Sequence, residues 1–116
     1  MDNKIIKRAT ELMLEKKAYE IKVIKVINLT SITDYFINCS SDSDPQTKAI
    51  KNHIQNNLSK EFSIKPNHVE GYENLKWVLM DYINIVINIF SKEEREYYNI
   101  ERLWADADIK IIKDKK

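Results

Sequence analysis

Two adjacent segments in the C-terminal half of the chain alternate their side chains with the period of a β-strand. They span about 76–82 and 84–90, within the stretch KWVLMDYINIVINIF. Because paired residues of a hairpin share a face, a two-residue turn at either 82–83 or 83–84 sorts these side chains onto two faces of a sheet. One face is apolar throughout and is predicted to be core; it carries Val78, Met80, Tyr82, Ile85, Ile87 and Ile89.

The second face, called the mixed face below, combines large apolar residues with polar ones. On the hairpin it carries Trp77, Leu79, Asp81, Asn84, Val86, Asn88 and Phe90, and on a preceding strand Asp34, Phe36 and Asn38. Three helices are too few to hide both faces of a five-stranded sheet, which predicts that the mixed face is partly uncovered. Large apolar residues among polar groups are typical of a protein-binding surface. A covering helix of the same chain is the alternative, and the pattern alone does not decide between the two.

The segments before this hairpin predict two helices and two strands. Apolar residues at helical spacing indicate an amphipathic helix over about 3–17, and β-branched and aromatic residues predict strands over 20–28 and 35–40. Ser43 lies three residues before Gln46, which is the spacing of a capping box. A second helix is therefore predicted to begin immediately after Ser43.

The C-terminal half adds a short strand and a third helix. HVEGY is predicted to be a strand that ends at Gly71, the only glycine of the chain, where a positive φ is expected. Ser91 and Glu94 form another capping box, which begins a helix running through EEREYYNIERLW. The order of elements predicts an α/β single domain over 1–107, with a mixed five-stranded sheet and flanking helices. Residues 108–116 are predicted to be a short basic C-terminal tail.

Composition narrows the class of protein. The chain has 116 residues, enough for one domain, and a net charge of +1, far from the basic excess of most nucleic-acid-binding proteins. With one cysteine and two histidines it lacks the ligands of a structural zinc site, so neither a metal nor another cofactor is expected. No run approaches the roughly 18 apolar residues of a membrane span, and the N-terminus lacks the apolar centre of a signal peptide. A cytoplasmic protein is predicted.

Three stretches resemble, in order and spacing, the motifs of the ribosomal silencing factor family, also called the Iojap-related family. They are DYFINCSSDSDPQTKAI, EGYENLKWVLMDYINIVINIF and REYYNIERLWADA, and the resemblance covers about residues 4–107. It implies an α/β fold with a topology similar to that of nucleotidyltransferases but without their catalytic motif. It also implies binding to the large ribosomal subunit through ribosomal protein L-fourteen, which blocks joining of the small subunit and lowers translation when nutrients are short.

The resemblance assigns partner binding to the mixed face and to the third helix. The residues that it implies are Trp77, Leu79, Asp81, Val86, Asn88, Tyr98, Leu103 and Trp104. An alternative stays open for the helix, because Ile100, Leu103 and Trp104 have the i, i+3, i+4 spacing of ordinary helix core.

The chain departs from the family pattern at four positions. Where the family usually reads D-Y-G-D-V-V-V-H, Ile83 replaces the glycine, Asn84 the second aspartate and Asn88 the histidine. Ser41 stands where a glycine is common. These changes remove a negative charge and a titratable ring, but they keep the alternation between the two faces.

A nucleotide-binding or nucleotidyltransferase-like enzyme is the alternative function. SSDSD superficially resembles an acidic metal loop, but that chemistry needs a phosphate-cradling loop and carboxylates that converge on a divalent ion. Ser43 and Asp44 are better explained as the start of a helix, and no catalytic residue is assigned. The expected partner is therefore the large ribosomal subunit, with ribosomal RNA contact at most secondary and with neither DNA nor a membrane. The sequence leaves open whether a homodimer forms through part of the same surface.

Overall fold

A computed structural model describes residues 2–113 and contains a mixed β-sheet with helices on both of its faces. In chain order the elements are α1 (Asp2–Glu15), β1 (Tyr19–Lys25), β2 (Tyr35–Ser41), α2 (Asp44–Phe62), β3 (His68–Glu70), β4 (Trp77–Asp81), β5 (Ile85–Ser91), α3 (Lys92–Tyr98), a 3-10 helix (Ile100–Trp104) and β6 (Asp108–Ile112). Every element predicted before residue 92 is confirmed, with small shifts of its ends.

The sheet has six strands in the order β3-β4-β5-β2-β1-β6, so the prediction of five strands is wrong. β2 and β5 run parallel at its centre, and the other neighbours are antiparallel. The additional strand is β6, which pairs with β1 although its residues were assigned to a C-terminal tail. Asp108 and Lys110 place charges on this edge strand, as is common where an exposed edge must not pair with a strand of another chain. Residues 114–116 of the predicted tail lie outside the described residues.

The core lies between the sheet and the helices α1 and α2. The predicted apolar face of the β4–β5 hairpin points into it. Five of its six residues are buried, and the sixth, Tyr82, is partly buried against the same cluster. The helices contribute Leu12, Met13, Ile50, Ile54 and Leu58, each with no exposed surface. Burial at about 25 cal/mol per Å² makes this cluster the main stabilising feature of the fold.

The predicted N-cap at Ser43 begins α2, and the Gln46 side chain of the same motif joins the two core helices. The Ser43 hydroxyl accepts a hydrogen bond from the backbone N–H of Gln46 at 3.2 Å, which confirms the predicted cap. The Gln46 carboxamide accepts from the backbone N–H of Asp42 at 2.7 Å and donates to the carbonyls of Lys16 and Lys17 at 3.1 and 3.0 Å. These carbonyls follow the end of α1, so one side chain satisfies groups at the ends of both helices.

The third helix begins as predicted but ends earlier. The Ser91 hydroxyl accepts from the backbone N–H of Glu94, and α3 then runs only to Tyr98. Asn99 adopts a left-handed backbone with φ of 44° and donates its N–H to the carbonyl of Arg95. Asparagine tolerates this conformation better than most residues, so it ends α3 and starts the 3-10 helix. The prediction of one continuous helix through Trp104 is therefore wrong.

The β4–β5 hairpin uses the second of the two predicted turns. The backbone N–H of Tyr82 donates to the carbonyl of Ile85 at 2.8 Å, which leaves Ile83 and Asn84 as the turn residues. Ile83 has a φ of 76°, and its N–H donates to the Asp81 carboxylate at 2.7 Å. A β-branched residue is strained at this φ, whereas glycine is not.

Ile83→Gly is expected to stabilise the domain by about 1 kcal/mol or less. Relief of the left-handed backbone is worth about 1–2 kcal/mol, and the greater freedom of glycine in the unfolded chain offsets roughly half of this. Ile83 is 62 % exposed, so little packing is lost. Urea denaturation should show a higher midpoint with an unchanged slope. Ile83→Val, which keeps the β-branch, should leave the midpoint unchanged, and an equal rise in both variants would contradict the argument.

Candidate partner-binding surface

The C-terminal segment 92–104, comprising α3 and the 3-10 helix, lies on the mixed face of the sheet. We call it the C-terminal cover. The Trp77 ring packs between Phe90 and Tyr98, with centroid distances of 4.9 and 5.0 Å. The Trp104 ring packs on Phe36 with its centroid 5.6 Å away. Each of the two alternatives considered for the mixed face therefore applies to one part of it. The centre is covered by the same chain, and the margin is only partly covered.

The structure separates the residues predicted to bind a partner into two groups. Val86 and Asn88 are buried on the mixed face, at 5 % and 1 % exposure, and are not accessible to a partner in this arrangement. Trp77, Leu79 and Asp81 are half-buried at the margin of the sheet. For these residues, partner binding stays a prediction.

The cover itself presents large apolar side chains to solvent. Tyr98 is 49 % exposed, Leu103 is 75 % exposed and Tyr97 is 80 % exposed. The two tyrosine rings meet edge to face at 5.0 Å, so aromatic contact continues from buried Phe90 out to the surface. The 3-10 helix has no fully buried residue. The helix-core alternative is wrong for the exposed Leu103, whereas Ile100 and Trp104 are half-buried and Trp104 packs on Phe36. We define the partner surface as Trp77, Leu79, Tyr97, Tyr98 and Leu103.

A continuous chain of polar side chains lies beneath the cover. The Trp77 indole N–H donates to the side-chain Oδ1 of Asn88, and Asn88 Nδ2 donates to the side-chain Oδ1 of Asn38. Asn38 Nδ2 donates to the Glu101 carboxylate, and each of these three distances is 2.9 Å. Arg95 Nε donates to the other oxygen of Glu101 at 3.2 Å. These bonds join β4, β5 and β2 to the 3-10 helix and α3. We call this set of side chains the polar chain.

Arg95 closes the polar chain as a buried cation. Its side chain is 6 % exposed and pairs with Glu101, which is 14 % exposed. Its Nη1 donates to the Ser40 hydroxyl at 2.9 Å and to the Glu20 carbonyl. A buried charge needs such partners, because loss of one leaves the other desolvated at a cost of about 3–5 kcal/mol.

Sequence reasoning missed Arg95 and Glu101. Arg95 lies in a charged helix and reads as a solvated residue, and six residues separate it from Glu101, a spacing that does not place both on one helix face. A weak signal was present in Asn38 and Asn88. Both fall on the mixed face as polar residues, and the parallel pairing of β2 with β5 places them directly opposite each other.

The groups that suggested an enzyme are engaged in structural contacts. Asp44 pairs with Lys76 at 2.8 Å, and Asp42 accepts from the Tyr19 hydroxyl at 2.6 Å. Burial, together with this hydrogen bond, raises the pKa of Tyr19 to about 12, and burial raises the pKa of the Cys39 thiol to about 12. Within residues 2–113, no group of three or more His, Cys, Asp or Glu side chains is placed to hold a metal ion.

Known proteins resemble this chain over nearly its whole length. The family model described as ribosomal silencing factor during starvation matches residues 2–116. A ribosomal silencing factor RsfS from Bacillus subtilis is 35% identical over 105 residues, covering 90% of this chain and 88% of that protein. The RsfS of Halalkalibacterium halodurans is 33% identical over 106 residues, covering 91% of this chain and 90% of its own.

A solved structure agrees with these relatives. The crystal structure of a protein from Chromobacterium violaceum superposes with a TM-score of 0.84 at 34% sequence identity, covering 89% of this chain and 85% of the other. Among the described residues, no helix is long and apolar enough to cross a membrane. The shared sequence over nearly the full length, together with the shared fold, shows that the chain belongs to the ribosomal silencing factor family.

Proposed function

We propose that this protein binds the large ribosomal subunit in the cytoplasm through ribosomal protein L-fourteen and thereby blocks joining of the small subunit. The observation that carries the proposal is the partner surface on the mixed face. It exposes Tyr97 and Tyr98 beside the half-buried Trp77, and it exposes Leu103 on the 3-10 helix. Aromatic residues of this kind provide most of the binding energy in many protein interfaces, because they bury large areas with little loss of side-chain freedom.

The charges around the partner surface support a basic partner. Glu70 and Asp81 lie at the margin of the mixed face, on β3 and β4. On the cover, the exposed Glu93 and Glu96 balance the exposed Lys92 and Arg102, because Arg95 is buried and paired with Glu101. Glu70 and Asp81 therefore give the border its acidic excess. An acidic border attracts a basic protein and increases the rate of encounter, so it favours a basic ribosomal protein over bare ribosomal RNA.

The proposed mechanism is occupancy without turnover. The relatives are named as silencing factors, which are regulatory proteins. If the protein covers a surface that the small subunit also needs, the two compete for the large subunit, and their relative concentrations and affinities decide the outcome. Protein added to free large subunits should prevent joining, whereas preassembled ribosomes should resist it until they dissociate.

Leu103→Asp is expected to weaken binding to purified large subunits by roughly tenfold or more, because it places a charge in an interface that excludes water. Leu103 is 75 % exposed, so the fold should be unaffected. Co-sedimentation gives the affinity, and a sucrose gradient gives the fraction of large subunits that still join small subunits. Both should change together.

Ile32→Asp is the matched control, because Ile32 is 72 % exposed and lies in the β1–β2 loop, outside the cover. It should bind and block joining like wild type. Loss of binding in the control but not in Leu103→Asp would move the interface away from the cover. Complete blocking at a few per cent of one equivalent would indicate turnover and support the enzyme alternative.

A further inference from the structure

We propose that the polar chain positions the two parts of the partner surface relative to each other, and that Asn38 and Asn88 are positioning residues for partner binding. One part, on β4, contains Trp77 and Leu79. The other, on the cover, contains Tyr98 and Leu103. The inference rests on the proposed function, because it concerns the surface that the partner would contact.

The hydrogen bonds of the polar chain can run in one direction only. An indole N–H only donates, so Asn88 must present its carbonyl oxygen to Trp77. The Glu101 carboxylate only accepts, so Asn38 must present its amide nitrogen at the other end. These two constraints leave the Asn88 amide nitrogen facing the Asn38 carbonyl oxygen, as the 2.9 Å contact shows. The orientation of each amide therefore depends on its neighbours.

The two asparagines of the polar chain are shielded from solvent, and one of them holds the cover on the sheet by a hydrogen bond. Asn38 and Asn88 are 0 % and 1 % exposed, so neither contacts a partner and neither has water available as a substitute. The 3-10 helix has no buried residue. It contacts the mixed face through the bond from Asn38 to Glu101 and through the packing of Trp104 on Phe36. The hydrogen-bonded connection between Trp77 and the 3-10 helix that carries Leu103 therefore runs through Asn88, Asn38 and Glu101.

Two substitutions at one position separate positioning from simple burial. Asn88→Asp preserves size but replaces the donor with an acceptor. The Asn38 amide nitrogen can then donate to only one of the two carboxylates, either that of residue 88 or that of Glu101. In both orientations the Asn38 amide oxygen faces the other carboxylate, and two acceptors oppose each other. Asn88→His preserves direction, because a neutral imidazole accepts through one ring nitrogen and donates through the other.

Hydrogen exchange on the full chain, together with titration against purified large subunits, tests the proposal. Asn88→Asp should accelerate exchange in the peptide 96–106 by roughly tenfold relative to amides of α2, which report global stability. It should also weaken binding to the large subunit by about tenfold. The cover then occupies the position needed for binding in only a fraction of the molecules, and the apparent affinity falls by that fraction. Asn88→His should restore both measurements to within about threefold of wild type.

The outcomes separate this inference from the proposed function. Unchanged exchange and affinity in a folded Asn88→Asp protein would overturn the positioning role, and so would faster exchange with unchanged affinity. If the α2 amides of Asn88→Asp exchange faster than those of wild type, that variant is globally destabilised. Asn88→Leu, which breaks the polar chain without burying a charge, then replaces it in both the exchange and the binding measurement. If wild-type protein does not bind large subunits, the proposed function fails, and exchange alone then decides whether the polar chain holds the cover.

Discussion

Gly71→Ala is expected to destabilise the domain by about 2–5 kcal/mol, the sum of about 1–2 kcal/mol for a left-handed backbone and 1–3 kcal/mol for overpacking. Gly71 has a φ of 81°, and a Cβ built there would lie 1.9 Å from the carbonyl oxygen of Trp77. That oxygen belongs to the backbone at the start of β4, so it cannot move aside as a flexible side chain could. The predicted positive φ at this residue is confirmed.

Chemical denaturation measures this effect directly, and subunit binding should fall in parallel as the folded fraction falls. A loss of 2–5 kcal/mol is large beside the roughly 5–15 kcal/mol that stabilises a typical domain. Glu73→Ala in the same loop is the control, because Glu73 is exposed and its loss should change stability by less than about 0.5 kcal/mol. Equal midpoints for the two variants would show that the loop accommodates a Cβ at Gly71.

The alternation of side chains on β4 and β5 could be predicted because it depends only on the geometry of one hairpin. It placed Met80 and Ile87 in the core and Leu79 on the mixed face without knowledge of the rest of the sheet. The caps at Ser43 and Ser91 were predicted for a similar reason, since donor and acceptor lie three residues apart. Local geometry therefore accounts for most of the fold that was predicted correctly.

The features that were missed depend on contacts between distant parts of the chain. β6 has two charged residues and three isoleucines at an exposed edge, and its pairing with β1 identifies it as a strand. The end of α3 depends on one residue, Asn99, whose left-handed conformation is permitted rather than required by its sequence. Both errors concern elements with little burial, where the hydrophobic pattern carries little information.

The candidate site was predicted in composition but not in arrangement. The pattern identified Trp77 and Asn88 on one face, but it could not show that one hydrogen-bonds the other or that the cover buries Asn88. That arrangement requires Glu101 and Arg95, which lie beyond the hairpin and approach it only because α3 folds back over the sheet. Position on a face thus follows from sequence spacing, whereas accessibility follows from tertiary packing.

Met80→Asp is expected to unfold the domain, whereas Leu79→Asp one residue earlier should leave it folded. Met80 has no exposed surface and packs in the core between the sheet and the helices. Its replacement removes about 2–5 kcal/mol of packing and adds the larger cost of an unpaired buried charge. Leu79 lies on the mixed face at the sheet margin, where a carboxylate can reach water.

The Leu79 variant should nevertheless lose partner binding, which distinguishes its role from that of Met80. Glu70 lies opposite Leu79 on β3, so the new carboxylate adds a like-charge repulsion of about 0.2–1 kcal/mol, too small to unfold the domain. Circular dichroism should show native signal for Leu79→Asp and for the core control Met80→Leu, but not for Met80→Asp. In co-sedimentation with large subunits, Met80→Leu should bind like wild type and Leu79→Asp should bind weakly. If both aspartate variants lose the folded signal equally, the assignment of the two faces is wrong. If Leu79→Asp folds and still binds fully, the partner surface does not include Leu79.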